Sequence, residues 1–266
     1  MPYSILLYRV RNLGDMIQTL ALSRLLPRAV GVYRHRLDDA SQRRLLIVNG
    51  VLDKDRPPKQ DVPCLFAGVS GPHFRAREYL RWMARSQHPI GARDQATFET
   101  ARAAGLRSEL IGCATLTLPR YDGPRSGVYS VDWAQGPGRP LSHRISRRDS
   151  PRQQWKWAVE ALERYRTAEA VYTSRLHVAL PCLAFGTPVW IANPSRGAWQ
   201  PSRFSLLEKL GVDYETLVTA DVSPWARRYV EFLEAHLSRP VEAGEPKMPD
   251  VPAGGMPSWF RWMRWL

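Results

Sequence analysis

The sequence predicts an α/β fold made of two parallel-sheet halves and a tail. Short apolar runs alternate with longer stretches whose apolar residues recur at helical spacing, from the N-terminus to residue 237. The alternation breaks at residues 119–127, Pro-Arg-Tyr-Asp-Gly-Pro-Arg-Ser-Gly, a segment dense in turn formers. Past residue 238 the pattern fades. The resulting units are a first domain of residues 1–122, a second of 127–237 and a tail of 238–266.

In the first half, residues 4–10 read as a strand and 16–26 as a helix with Ile17, Leu20, Ala21 and Leu25 on one face. Residues 29–33, 45–48 and 64–67 read as strands, and 73–85 as a helix carrying Phe74, Tyr79, Trp82 and Met83. A strand at 89–93, a helix at 95–104 and a strand at 108–111 complete it. The second half opens with a strand at 128–133 and a turn-rich stretch at 136–140. Ser150-Pro151-Arg152-Gln153 then starts a helix, with a serine cap, proline at the first helical position and glutamine three residues after the cap. That helix presents Trp155, Ala158, Val159, Leu162 and Tyr165 on one side. A strand at 170–173, a helix at 175–185, a strand at 188–192 and helices at 204–210 and 224–237 follow. From Ser238 onward Pro, Gly and Glu predict a loosely held chain. It ends in Trp259-Phe260-Arg261-Trp262-Met263-Arg264-Trp265, whose aromatics and arginines suit a membrane interface or docking on the protein body.

The net charge is +13, yet only five of the 38 basic residues are lysine, and an arginine excess of this kind accompanies GC-rich coding. The basic residues form no single run or helical stripe. A sugar phosphate, a carboxylate or an acidic membrane therefore fits them better than nucleic acid. Cys64, Cys113 and Cys182 are scattered and make no C-x-x-C pair, which argues against zinc or redox motifs and suits a reducing cytoplasm. No run of eighteen apolar residues occurs, and no basic region precedes the first apolar stretch. The expected setting is cytoplasmic, at the inner face of the membrane if the tail engages lipid.

Chemistry is expected where strands end and helices begin, because open α/β sheets bind ligands outside the carboxyl ends of their strands. Arg11-Asn12-Leu13-Gly14-Asp15 follows the first strand: Gly14 permits close backbone approach, Asp15 can cap the helix, and the free amides can hold an anion. Read without a ligand, it is a capped turn. Thr173-Ser174-Arg175-Leu176-His177 makes a second junction. With Ser174 as cap, Arg175 and His177 fall in the first turn, where a guanidinium fork grips carboxylate or phosphate and an imidazole moves a proton near neutral pH. The plainer alternative is a salt-bridged arginine and a packed histidine. Gly91-Ala92-Arg93-Asp94 forms a third junction, and His143 stands in a loop. A capping Asp94 beside a solvated Arg93, and a merely exposed His143, are the ligand-free readings. No metal-binding, paired-carboxylate or serine-elbow motif appears.

Taken in order, these segments resemble the polysaccharide pyruvyl transferase family from about residue 6 to 211. The most specific part is residues 164–189, with Thr173-Ser174-Arg175-Leu176-His177 opening a helix and Gly186-Thr187-Pro188 preceding the next strand. Asn12-Leu13-Gly14-Asp15 resembles the family's opening N-x-G-D, and Arg93-Asp94 its Arg-Asp. Two segments depart from it: Asn49-Gly50-Val51 is poorer in glycine than the usual run, and Gly112-Cys113-Ala114-Thr115 stands where many members have Asp-Pro-Ala. The resemblance implies two Rossmann-like domains in a glycosyltransferase-B-like arrangement, the second reduced. It implies phosphoenolpyruvate as donor, a sugar diol of a polysaccharide or glycolipid precursor as acceptor, a pyruvate ketal as product, and no cofactor or metal. Donor binding would fall to Arg175, Ser174, Asn12, Gly14, Asp15 and Arg93. His177 would protonate the enol carbon, and His143 would serve as base or second phosphate contact. A nucleotide-sugar glycosyltransferase on the same scaffold and a catalytically silent glycan-binding or assembly protein are the competing readings.

Overall fold

The computed structural model describes residues 3–8, 11–52, 57–71, 77–146, 148–194 and 201–251. It is a mixed α/β structure with two sheets. The first is wholly parallel, in the order β2 (Val30–Tyr33), β1 (Tyr3–Leu7), β3 (Leu45–Val51), β4 (Cys64–Ser70), β5 (Ile90–Ala92) and β6 (Ser108–Leu110). Its helices are α1 (Leu13–Leu25), α2 (Arg77–Ala84) and α3 (Gln95–Ala103). β1, β3 and β4 are buried along their whole length, as the continuous apolar runs of a sheet covered on both faces require.

The second sheet follows the order β8 (Arg139–Leu141), β7 (Val128–Val131), β9 (Ala170–Thr173), β10 (Val189–Ile191) and β11 (Leu217–Val218). Only β11 runs antiparallel to its neighbour. Its helices include α4 (Pro151–Thr167), α5 (Leu176–Phe185) and the short α6 (Ser205–Lys209). In both sheets the first strand lies between the second and the third. The direction of winding therefore reverses beside β1 and beside β7, where doubly wound sheets open a ligand crevice.

Three features differ from the sequence expectation. The turn-rich stretch contains β8, which pairs parallel to β7 after a connection of only residues 132–138. Parallel neighbours ordinarily need a longer crossover. Here the left-handed backbone of Asp132 (φ 50°) and Gly138 (φ 86°) turns the chain tightly enough. Second, helix α7 (Ser223–His236) packs on the first sheet: the Tyr229 hydroxyl donates to the Ala67 carbonyl at 3.1 Å, beside a bulge at Gly68 (φ 76°). Third, residues 242–250 are tied down. The amides of Glu242 and Gly244 donate to the carbonyls of Leu25 and Arg24, orphaned at the end of α1, and Asp250 accepts from Gly31 on edge strand β2. The Trp/Arg-rich segment lies outside the described residues. No described helix is long and apolar enough to cross a membrane.

Candidate functional site

The segments that follow β1 and β8 run against one another. The Leu13 amide donates to the His143 carbonyl at 2.9 Å, and Ile145 donates to Arg11 at 3.3 Å. Asn12 and Arg144 form an isolated antiparallel bridge. Helix α1 starts earlier than its apolar spacing suggests because Asn12, not Asp15, caps it, accepting from the Gly14 amide at 3.2 Å. Asp15 lies in the first turn, where the helix dipole favours a carboxylate, and accepts from Gln18 at 3.3 Å. Gly14 sits directly against α5. A β-carbon placed there would lie 2.9 Å from His177 Cβ and 3.4 Å from its Nδ1.

Helix α5 also begins differently from expectation. Its cap is Arg175, still extended, and Ser174 turns away to donate to the Asp132 carbonyl at 3.3 Å. The strand conformation persists because the Arg175 amide donates to Thr173 Oγ1 at 2.9 Å while its Nε donates to Asp132 Oδ2 at 2.9 Å. The guanidinium remains about one-third exposed (32%). His177 falls in the first turn with non-helical angles (−84°, 19°), four residues before Pro181, whose ring disrupts the turn above it. Its imidazole is buried (4% exposed) among polar neighbours, with Nε2 3.4 Å from Arg93 Nη1.

Arg93 is fully buried, not the solvated arginine of the ligand-free reading, whereas Asp94 does cap α3, accepting from the Thr97 amide and hydroxyl. Nη1 of Arg93 lies 3.5 Å from Gln18 Oε1 and Nε lies 3.7 Å from Asp94 Oδ2. Among the described residues, Nε, Nη2 and Asp94 Oδ2 have no hydrogen-bond partner. Neither do both amide atoms of Asn49 and the hydroxyl of Ser70, at the carboxyl ends of β3 and β4. Ile47, Leu65 and Ala67 share the core with α1, while Val48 and Val69 face the opposite core. Strand alternation thus turns Asn49, Ser70 and Arg93 toward α1, in one buried polar row. Buried polar groups normally find partners, so such a row is where a polar ligand gains most.

His143 is not an exposed loop residue: it is 1% exposed, with Nε2 2.6 Å from the Tyr165 hydroxyl and Nδ1 unpartnered among the described residues. Burial, helped by Arg175 and opposed by Asp132, pushes its pKa down to about 4, so the ring is neutral at pH 7. Burial alone would raise the Asp132 carboxyl. The Ser142 hydroxyl, the Arg175 guanidinium and the His143 amide outweigh it and hold the group ionised, below its ordinary value. Asp132 thereby joins the loop after β8 to Arg175. A neutral imidazole brings no positive charge to a phosphate, which favours base over phosphate contact among the two roles expected for His143.

The structure therefore gathers Asn12, Gly14, Asp15, Arg93, Arg175 and His177 where the two sheets meet, with Ser174 alongside and His143 sealed behind Asp132. The sequence alone gives Asp132, Gln18 and Ser70 no role, and shows Tyr165 only on a helix face and Asn49 only at a strand end. An aspartate closing a strand just before a turn-rich stretch was the one usable signal. A cavity of about 440 Å³ lies beyond Tyr165, lined by Ser142, Asp149, Trp157 and Arg164 among others. Among the described residues no cluster of three metal-ligating side chains occurs. The three cysteines are free and buried, and burial raises every thiol (Cys64 to about 12), so none is a thiolate at neutral pH.

A family model, Polysaccharide pyruvyl transferase, matches residues 12–195. No curated relative matches the chain. Among solved structures, a functionally uncharacterised protein from Klebsiella pneumoniae is similar in fold, with a TM-score of 0.53 at 12% identity, over 82% of this chain and 93% of that one. The family match spans more than half of the chain, from the Asn12 cap through Arg93, Asp132 and His177 to the segment after β10, and by it the chain belongs to the polysaccharide pyruvyl transferase family.

Proposed function

We propose that this transferase moves the pyruvyl group of phosphoenolpyruvate onto two hydroxyls of a sugar, releasing phosphate and forming a cyclic ketal. The observation that carries the reading is Arg93, a fully buried guanidinium with two nitrogens lacking hydrogen-bond partners beside a buried imidazole. A buried cation held this loosely is costly unless an anion completes it. Arg93 and the more exposed Arg175 grip the donor's carboxylate and phosphate, with amides at the start of α1 adding dipole and hydrogen bonds. His177 protonates the methylene carbon, leaving C2 cationic. One sugar hydroxyl adds to C2 and loses its proton. The C2–O bond to phosphate then breaks and the second hydroxyl closes the ring, its proton leaving with phosphate. Asn49 and Ser70, uncharged and unpartnered among the described residues, suit sugar hydroxyls. His143 acts as a positioning residue: its amide donates to Asp132, which aligns Arg175.

The test is phosphate release from phosphoenolpyruvate across a panel of sugar acceptors. The wild type is expected to turn over with at least one of them, and His177→Ala to lose about 10²- to 10⁴-fold in turnover while still binding donor. Consumption of nucleotide sugar alone would replace this reading with glycosyl transfer. Glycan binding without either turnover would mark a silent member. Arg175→Ala is expected to weaken donor affinity by about 1.5–3 kcal/mol, the worth of a charge-assisted contact. A donor titration unchanged by that substitution would remove Arg175 from the site.

A further inference from the structure

A second cavity, of about 730 Å³, lies on the first sheet and shares no residue with the site above. It sits off the carboxyl end of β2, between residues 34–38, the loop before β4 and helix α2. Arg34, Arg36, Lys59, Arg81 and Arg85 line it, with His35 beside them. Among the described residues, the lining carboxylates Asp38 and Glu78, with Asp39 beside Arg36, are outnumbered by these five cations. Asp38 is partly committed elsewhere, accepting from the Lys59 amide at 2.7 Å, and Arg36 pairs with Asp39 at 2.7 Å. Among the described residues the apolar lining is Leu37, Pro57 and Pro58. The volume is that of a small-molecule site, and the charged groups that line it are mostly basic. Clustered like charges repel, and an anion carrying more than one negative charge relieves that repulsion.

The charge balance and volume of this cavity lead us to infer that it binds a diphosphate or comparable phosphate group of an organic ligand, independently of the transfer site. The group can belong to a soluble phosphorylated sugar or to a lipid headgroup. Arg81 on α2 and Arg85, the residue that follows its last turn, are both exposed and present two guanidinium forks four residues apart in the chain. Arg34 is buried at the cavity wall, its guanidinium 5.5 Å from the centre of the Tyr8 ring, which holds that cation at the floor.

Calorimetric titration with inorganic pyrophosphate, and co-sedimentation with phosphatidylcholine vesicles with and without phosphatidic acid, test the inference. The wild type is expected to bind pyrophosphate more weakly as ionic strength rises. Arg81→Glu with Arg85→Glu should reduce that affinity about tenfold or more, whereas Arg152→Glu with Arg227→Glu, equal in charge and away from the cavity, should not. Vesicle binding that requires phosphatidic acid and is lost in the first pair alone assigns the group to a lipid headgroup. Pyrophosphate binding without it assigns the group to a soluble ligand. Circular dichroism confirms that both variants fold. Equal loss in the two pairs, or no binding of either probe by the wild type, overturns the inference.

Discussion

Gly14→Ala is expected to lower phosphate release from phosphoenolpyruvate by about a hundredfold while leaving the protein folded. The substitution adds one methyl group. That carbon would stand 2.9 Å from His177 Cβ, closer than real β-carbons approach, and the obstacle is rooted on the α5 backbone, not at the end of a flexible side chain. Relief must come from a shift of α5 against α1, and any such shift moves the imidazole relative to Arg93 Nη1, now 3.4 Å away. Overpacking of this kind costs about 1–3 kcal/mol of stability, which a domain of ordinary stability survives. The loss should appear in kcat, because Arg93 and Arg175 remain to bind donor. An enzyme that keeps its kcat with Ala at this position would show that His177 tolerates displacement, which a proton donor aimed at one carbon cannot.

The same close approach shows what a single sequence can disclose. Apolar spacing places α4 and β3, because each buries one face or both, and the capping serine and Pro151 mark the start of α4 without help from elsewhere. The start of α5 is shifted because Arg175 is kept extended by Asp132, a residue 43 positions away that local spacing cannot include. β8 was missed for a related reason: Arg-Pro-Leu has no alternation, and its pairing follows from the left-handed turn at Asp132. The face of α7 could be read but not its partner, since periodicity says which side is buried and never against what. In the site, Arg93, Arg175 and His177 stood out because they follow strand ends. Asn49, Ser70 and Tyr165 are ordinary strand or helix residues until chain topology lines them up with residues far along the sequence.

Lowering the pH from 7 to 5 is expected to destabilise the protein by about 2 kcal/mol through His143 alone, and His143→Gln should remove that part of the dependence. Unfolded, the imidazole has its usual pKa near 6.5. Folded, burial lowers it to about 4. Between those values the unfolded chain binds the proton and the folded one does not, so stability falls as pH falls through that window. The full contribution, about 3 kcal/mol, is present above the unfolded pKa and gone below the folded one. Burial also lowers the pKa of His88, which adds slope of the same sign, so the informative quantity is the difference between wild type and variant. Asp132, held below its ordinary value, loses its contribution only at lower pH and does not distort the window. Urea unfolding at the two pH values measures the effect. Equal slopes for wild type and His143→Gln would mean that the imidazole is charged or solvated in the folded protein. A charged ring behind the site would then attract Asp132 and compete with Arg175 for its carboxylate.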